Sequence, residues 1–422
     1  MMESLPIEIL EKIFRNEILD FVDLSRLSSV CKRFHEVTDS NENWMLKFKL
    51  SYPKLFEKIP LSKLSKLSWR QELMKRIKFQ KLVRQEVEMM SDKFFSKTEL
   101  SKSDLHVFDD ILVQHHHDRS NVHLYITDEL SDLIHGSERL EDLTRKYYAS
   151  KCIQHVKHSI LRPQAASWPQ QEEEGRLTYE NILITIAQWS QPSLDVSTRD
   201  ISGRLDSLAS RVLSHLRQSS PAHPIFTKIR EQQETRNEAS IDLSKLPDFN
   251  ENLSENAWSP QESKEILKSA NHILYSVEGF TGNNEDYYNP ENSYINSILE
   301  TKHGIPISLS LLYSSILARL GVFCLPVNFP GHFLLKWASH PASQDPADRF
   351  TFIDAFNRGR EMTGQQARNM TPHLVSQDDV YQVASPLSVA QRMLRNLISI
   401  GNFKHQTDFR ILVFNIISRS FP

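Results

Sequence analysis

Cysteine is scarce in this sequence, and its three occurrences are far apart. Cys31, Cys152 and Cys324 form neither the dense disulfide framework of a small secreted domain nor the paired spacing of a zinc site. So few thiols are typical of a protein from a reducing compartment. We therefore expect a cytoplasmic or nuclear protein with no bound metal and no cofactor.

Long apolar runs and a signal peptide are also missing. The longest apolar runs, such as "ILVFNII" near the end, are much shorter than the roughly 18 residues that a membrane-spanning helix needs. The first residues, "MMESLPIEILEKIF", place charges and a proline where a signal peptide needs an uninterrupted apolar core. We therefore expect no membrane segment.

Charge of one sign is not in excess, since 50 basic residues nearly balance 53 acidic ones. No overall field then attracts nucleic acid or anionic lipid. Residues 47–84 depart locally from this balance, with twelve basic and two acidic side chains. Their apolar residues recur at helical spacing, which is typical of a surface helix with a charged outer face. A nucleic-acid interface is therefore the less favoured interpretation.

Histidine is concentrated in "QHHHDRSNVH", residues 114–123. The candidate metal ligands there are His115, His116, His117, Asp118 and His123. Metal ligands must converge on one point, whereas adjacent residues point in divergent directions on a helix or a strand. A polar loop is the favoured interpretation.

The first fifty residues predict three helices around a small core. Pro6 suits a first helical turn, where its missing N–H needs no partner. Apolar residues continue from there at helical spacing, and residues 24–34 repeat the pattern after a possible cap at Asp23. A third helix would carry Trp44. A domain of this size is commonly marginal unless a partner completes its core.

The order of these residues resembles the F-box. The resemblance rests on "LPIEILEKIF", then "DLSRLSSVCKRF", then Trp44. It implies docking on the adaptor Skp1, and thereby on Cul1 and the RING subunit of an SCF ubiquitin ligase. The residues expected to form the Skp1-binding surface are Leu5, Pro6, Ile9, Leu10, Ile13 and Leu24.

Composition divides the remaining chain into further segments. Polar-faced helical patterns predict a helical region over residues 51–162, and "PQAASWPQQEEEGR" predicts a polar linker over 163–177. Another domain is expected over 178–403, followed by a tail at 404–422. The expected fold class is mainly α with a smaller α+β part.

The densest apolar stretch, residues 304–337, predicts a helix followed by strands. Pro306 begins the helix and Gly321 ends it. His332 stands at the start of one strand, and Asp354 ends the next. Papain-like cysteine chemistry needs this arrangement, with a thiol at the helix N-terminus, a histidine base and an aspartate that orients the histidine.

This region resembles the SirB1-type branch of the transglutaminase-like core. The resemblance rests on "GIPISL", "ARLG", "NFPGHF" and "IDAF", which occur in that order, and it implies a helix-plus-antiparallel-sheet core. The family's cysteine would fall at Pro306, which has no nucleophile. Cys324 lies past the helix, and Ser308 faces another side. We therefore expect a vestigial triad of Pro306, His332 and Asp354.

The two resemblances together imply the substrate-recognition subunit of an SCF ubiquitin ligase, acting on an unknown protein substrate. F-box proteins of this kind continue into a further beta domain. Residues 404–422 lose the family's pattern, and we expect that domain to be absent. The alternative is an active transglutaminase-, deamidase- or protease-type enzyme that uses His332 and Asp354.

Overall fold

The computed structural model describes residues 5–114, 121–136, 142–236, 256–329, 331–370 and 382–400. Residues 115–118 of the histidine run and the tail at 404–422 lie outside these ranges. The chain divides into two compact units, an N-terminal unit ending at Ile160 and a C-terminal unit starting at Leu161. The prediction of a mainly α fold with a smaller α+β part is confirmed.

Ten α-helices begin in the described part of the N-terminal unit. They are α1 (Ile7–Arg15), α2 (Phe21–Leu27), α3 (Lys32–Thr38), α4 (Asn41–Ser51), α5 (Pro53–Lys58), α6 (Leu61–Leu64), α7 (Trp69–Phe94), α8 (His106–Gln114), α9 (Val122–His135) and α10 (Leu143–Ala166). One hydrophobic core extends from Leu10 to Val156. The ring of Phe48 lies 5.2 Å from that of Trp69 and 6.4 Å from that of Tyr125. The first four helices therefore share their core with the helices that follow.

The second predicted helix, over residues 24–34, is two helices. Asp20 caps α2 by accepting a hydrogen bond from the Asp23 backbone N–H at 2.8 Å, so the helix begins before the predicted cap at Asp23. The hydroxyl of Ser28 donates to the Ser25 carbonyl at 2.6 Å, and Cys31 is extended, with φ −158°. Serine side chains that compete for backbone groups favour such an interruption.

Buried charges join α7 to α9. The guanidinium of Arg76 is fully buried and lies 2.9 Å from carboxylate oxygens of Asp128 and Glu129. Its face also lies 4.7 Å from the ring centre of Tyr52. The helix that the sequence predicts as a charged surface helix thus carries part of its charge inward, where the partners compensate for desolvation.

The elements of the C-terminal unit are more varied. The helices are α11 (Trp168–Glu173), α12 (Tyr179–Ser190), α13 (Thr198–Ser219), α14 (Ile225–Arg236), α15 (Pro260–Asn271), α16 (Ile295–Thr301), α17 (Pro306–Ala318), α18 (Pro346–Arg349), α19 (Gly364–Asn369) and α20 (Pro386–Ser399). The strands are β1 (Thr281–Gly282), β2 (His303–Gly304), β3 (Leu325–Val327), β4 (Leu334–Ala338), β5 (Phe350–Asp354) and β6 (Arg360–Met362).

The prediction of a polar linker at residues 163–177 is wrong for most of that range. Helix α10 continues through Pro163 to Ala166, and α11 follows at once. Trp168 is buried in the hydrophobic core of the C-terminal unit. Burial of this large aromatic side chain outweighs the polar composition around it.

Helix α17 lies at the centre of the C-terminal unit and explains the dense apolar stretch. Every residue from Pro306 to Leu317 is buried, as expected of a helix that is apolar on all sides. It packs against β3 and β4 in an antiparallel sheet of order β3-β4-β5-β6. The short strands β1 and β2 pair in parallel, with Gly282 opposite Gly304. None of the described helices is long and apolar enough to cross a membrane.

Candidate functional site

The structure brings His332 and Asp354 together. Strands β4 and β5 pair with Leu335 opposite Ile353, so His332, two residues before β4, and Asp354, the last residue of β5, lie at the same edge of the sheet. His332 Nε2 lies 3.0 Å from Asp354 Oδ2, and the two side chains are 15% and 2% exposed. In the described part of the chain no residue is hydrogen-bonded to His332 Nδ1. That nitrogen is the one available to a reacting group.

Asn357 completes the surroundings of the aspartate. Its backbone N–H donates to Asp354 Oδ1 at 3.2 Å, and its side-chain amide donates to Oδ2 at 2.6 Å. Burial opposes ionisation of Asp354, but the contacts with His332 and Asn357 hold its pKa below the ordinary value. The carboxylate is therefore ionised at neutral pH and fixes the orientation of the histidine.

Arg392, on α20, holds the loop that carries the histidine. Its guanidinium donates to the backbone carbonyls of Phe329 at 2.7 Å and His332 at 2.6 Å. It also lies 5.3 Å from the ring centre of Phe333. Sequence reasoning missed Arg392, because no local pattern connects α20 with a loop sixty residues earlier in the chain.

Pro306, Ser308 and Cys324 are the residues to compare with the nucleophile position that the sequence predicts at the helix start. Pro306 is the first residue of α17. The Ser308 hydroxyl is fully buried and bonded to the backbone: it lies 2.6 Å from the Asn292 carbonyl and accepts from the Ile305 N–H at 3.1 Å. Cys324 is buried too, and burial raises the pKa of its thiol well above the ordinary value, which disfavours the reactive thiolate.

Phe356 connects the helix start with the histidine. Its ring meets the His332 ring edge to face, with centroids 6.1 Å apart. On another side the ring packs on Gly282, where an added Cβ would lie 2.4 Å from a ring carbon. Gly282 pairs with Gly304, two residues before Pro306. Phe356 thus lies between His332 and the β1–β2 pair that precedes α17.

The six residues expected to bind Skp1 fall into two groups. Leu10 and Leu24 are completely buried in the core of the N-terminal unit, whereas Leu5 and Ile13 are partly buried and Pro6 and Ile9 are exposed. Sequence reasoning did not single out the other exposed apolar side chains of this region. They are Ile7 at 50%, Ile18 at 88%, Val22 at 39%, Val30 at 59% and Leu50 at 41% exposure.

No metal centre is found in the ranges that the structure describes, since none of their His, Cys, Asp and Glu side chains form a group of three or more suited to an ion. His123 belongs to α9, while the other candidate ligands, His115, His116, His117 and Asp118, lie outside the described ranges.

Comparisons with known proteins agree with both halves of this description. Residues 2–48 match the F-box-like family, and residues 199–395 match the transglutaminase-like superfamily. F-box only protein 21 of Mus musculus is 31% identical over 408 residues, which cover 94% of this chain and 58% of that protein. The Homo sapiens protein is 30% identical with the same coverage. The chain is thus similar to F-box only protein 21 over nearly all of its own length.

The chain spans about 58% of the length of those relatives. A bacterial relative, a UPF0162 protein of Xylella fastidiosa (strain 9a5c), is 34% identical over 142 residues, covering 32% of this chain and 48% of that protein. No solved structure matches the chain. The transglutaminase-like match contains Pro306, His332 and Asp354, so all three positions lie in a recognised domain.

Proposed function

We propose that this chain is the substrate-recognition subunit of an SCF ubiquitin ligase. Residues 1–50 would bind Skp1, which in turn binds Cul1 and the RING subunit, and the C-terminal unit would hold a protein substrate. The F-box-like match and the homology to F-box only protein 21 support this role. The chain would then raise the effective concentration of substrate lysines near the conjugating enzyme. Such a role belongs to the cytoplasm or the nucleus.

The observation that carries the proposal is an exposed apolar surface within the F-box-like residues. Ile9 is 41% exposed and Ile18 is 88% exposed. Large apolar side chains gathered on one small domain mark an interaction surface more often than a free one. Leu10 and Leu24 lie beneath this surface in the core and would support it without touching Skp1.

Co-purification with Skp1 tests this role. Leu5→Asp combined with Ile9→Asp should weaken Skp1 binding by at least about 100-fold, because unpaired carboxylates in an apolar interface are costly to desolvate. The matched control is Leu61→Asp, which places the same charge on a leucine that is 69% exposed and lies outside the F-box-like match. Wild-type binding by the double variant would contradict the proposal.

We also propose that the transglutaminase-like domain has lost its reaction. Support comes from Pro306 at the nucleophile position, from the occupied hydroxyl of Ser308 and from the buried thiol of Cys324. The alternative, an active transglutaminase-, deamidase- or protease-type enzyme, is favoured by one observation, the His332–Asp354 contact at 3.0 Å.

An amine-incorporation assay, with ammonia release and peptide cleavage measured in parallel, separates these alternatives. On a glutamine-containing protein, wild type and His332→Ala should both give the rate of the enzyme-free blank. Activity in wild type that disappears in His332→Ala would establish the enzyme instead. Skp1 binding should be the same in both proteins, since His332 lies in the C-terminal unit.

A further inference from the structure

A row of aromatic rings leads from the His332–Asp354 pair to the protein surface. The ring of Phe356 lies 6.1 Å from that of His332 and 6.4 Å from that of Tyr287. Tyr287 in turn lies 5.4 Å from Tyr288. Exposure rises along the row, to 38% at Tyr287 and 73% at Tyr288. We call these four side chains the aromatic row.

The loop that presents the two tyrosines is held by asparagine side chains. Asn292 is buried and donates to the backbone carbonyls of Asp286 at 2.7 Å and Tyr287 at 3.3 Å. Asn283 accepts from the Asp286 N–H at 2.9 Å and donates to the Asn292 side chain at 3.0 Å. The tyrosines are therefore pre-positioned, and little conformational entropy remains to be lost when they bind a partner.

The loop is also tied to the centre of the domain. The Asn292 carbonyl lies 2.6 Å from the hydroxyl of Ser308 on α17, and the Asn283 N–H donates to the Gly304 carbonyl at 3.0 Å. Exposed aromatic rings on such a rigid support are typical of binding surfaces, where Tyr side chains supply large contact area at low entropic cost.

Charge at the exposed end of the row is negative. Glu285 and Asp286 directly precede the tyrosines, both are exposed, and neither forms an ion pair with another described residue. The guanidinium of Arg392 is engaged by the Phe329 and His332 carbonyls. It also lies near Tyr287, the inner tyrosine: burial raises the pKa of Tyr287, and the Arg392 charge opposes that rise. Carboxylates beside exposed rings repel nucleic-acid phosphates and attract cations.

We propose that Tyr287 and Tyr288, together with Glu285, bind a lysine- or arginine-containing segment of a protein substrate. A cationic side chain over a tyrosine face gains cation–π attraction, and a neighbouring carboxylate adds a charge-assisted hydrogen bond. This inference rests on the proposed function, because it names the chemistry of the segment that the receptor would recruit.

A random octapeptide display library, selected on the purified full chain in the absence of Skp1, tests the inference. Selected peptides should be enriched in lysine and arginine. Synthetic, fluorescein-labelled copies should bind Tyr288→Ala at least about tenfold more weakly than wild type. Tyr288→Phe keeps the ring and should stay within about twofold. The matched control Tyr147→Ala removes a tyrosine that is 43% exposed in the N-terminal unit and should leave binding unchanged.

The results that would overturn this inference differ from those that would overturn the proposed function. No selected peptide, enrichment of acidic or purely apolar peptides, or unchanged binding by Tyr288→Ala would overturn the inference. Glu285→Gln should weaken binding and reduce its salt dependence, and unchanged binding by this variant would exclude the role of the carboxylate. Skp1 binding measured on the same samples tests the proposed function separately, since Tyr288 lies in the C-terminal unit.

Discussion

Gly282→Ala should destabilise the C-terminal unit. An added Cβ would lie 2.4, 2.5 and 2.7 Å from three carbons of the Phe356 ring, whereas carbon atoms normally approach to about 3.5–4.0 Å. The ring must therefore move by about 1 Å. It cannot do so freely, because it contacts both Tyr287 and His332. Overpacking of this kind costs about 1–3 kcal/mol.

The same substitution at Gly203 provides a matched control. Gly203 lies inside α13, and an added Cβ there would meet nothing within 4 Å. Alanine is favoured over glycine in a helix interior by roughly 0.5–1 kcal/mol. Gly203→Ala should thus raise the free energy of unfolding, while Gly282→Ala should lower it.

Urea unfolding and thermal melting of both variants measure the effect. For a domain of this size, 1 kcal/mol shifts the Tm by about 2–4 °C. Combining Gly282→Ala with Phe356→Ala should recover at least about 1 kcal/mol relative to the sum of the single changes, because the double variant removes the clash. Equal stabilisation by both glycine substitutions, or strict additivity with Phe356→Ala, would show that the Phe356 ring does not clash with a side chain at position 282.

Three further predictions concern buried charges. Arg76→Met should destabilise the N-terminal unit by about 3 kcal/mol in urea unfolding. It removes the guanidinium paired with Asp128 and one of the two guanidinium groups paired with the buried Glu129, the other being that of Arg84. A loss under about 1 kcal/mol would contradict this prediction. Burial and the nearby Arg349 lower the pKa of Lys336 to about 8. The folded state therefore loses this proton more readily than the unfolded chain, and the free energy of unfolding should rise between about pH 8 and pH 10. Lys336→Met should flatten that rise. The pKa of Asp354 is lowered despite burial, so its carboxylate stabilises the fold at neutral pH. This contribution to the free energy of unfolding is lost as pH falls below about 3.9. In acid titrations, Asp354→Asn should not show this loss of stability.

The parts of the site that lie on adjacent strands could be predicted from the sequence. His332 and Asp354 bracket strands of similar length, and antiparallel pairing with Leu335 opposite Ile353 then brings them to the same edge. The assignment of Pro306 to the nucleophile position rests on the resemblance to the transglutaminase-like pattern, combined with counting back from Gly321. These features depend on local periodicity, which a sequence displays directly.

Features that depend on distant packing could not be predicted. Residues 163–177 have the composition of a linker, yet Trp168 is buried by a core built from elements far along the chain. Apolar residues at helical spacing in α1 gave no sign that Leu10 is buried while its neighbour Ile9 is 41% exposed. Arg392 reaches the His332 loop from α20, a contact that has no local signature.

Capture of Cul1 through Skp1 is the most direct test of whether this chain is an SCF receptor. The purified chain is immobilised and incubated with Cul1 and the RING subunit, with or without Skp1, beside the Leu5→Asp/Ile9→Asp variant. If this chain is an SCF receptor, wild type should retain Cul1 in the presence of Skp1 and the variant should not. Retention of Cul1 without Skp1, or no retention in its presence, would contradict the assignment of this chain as an SCF receptor.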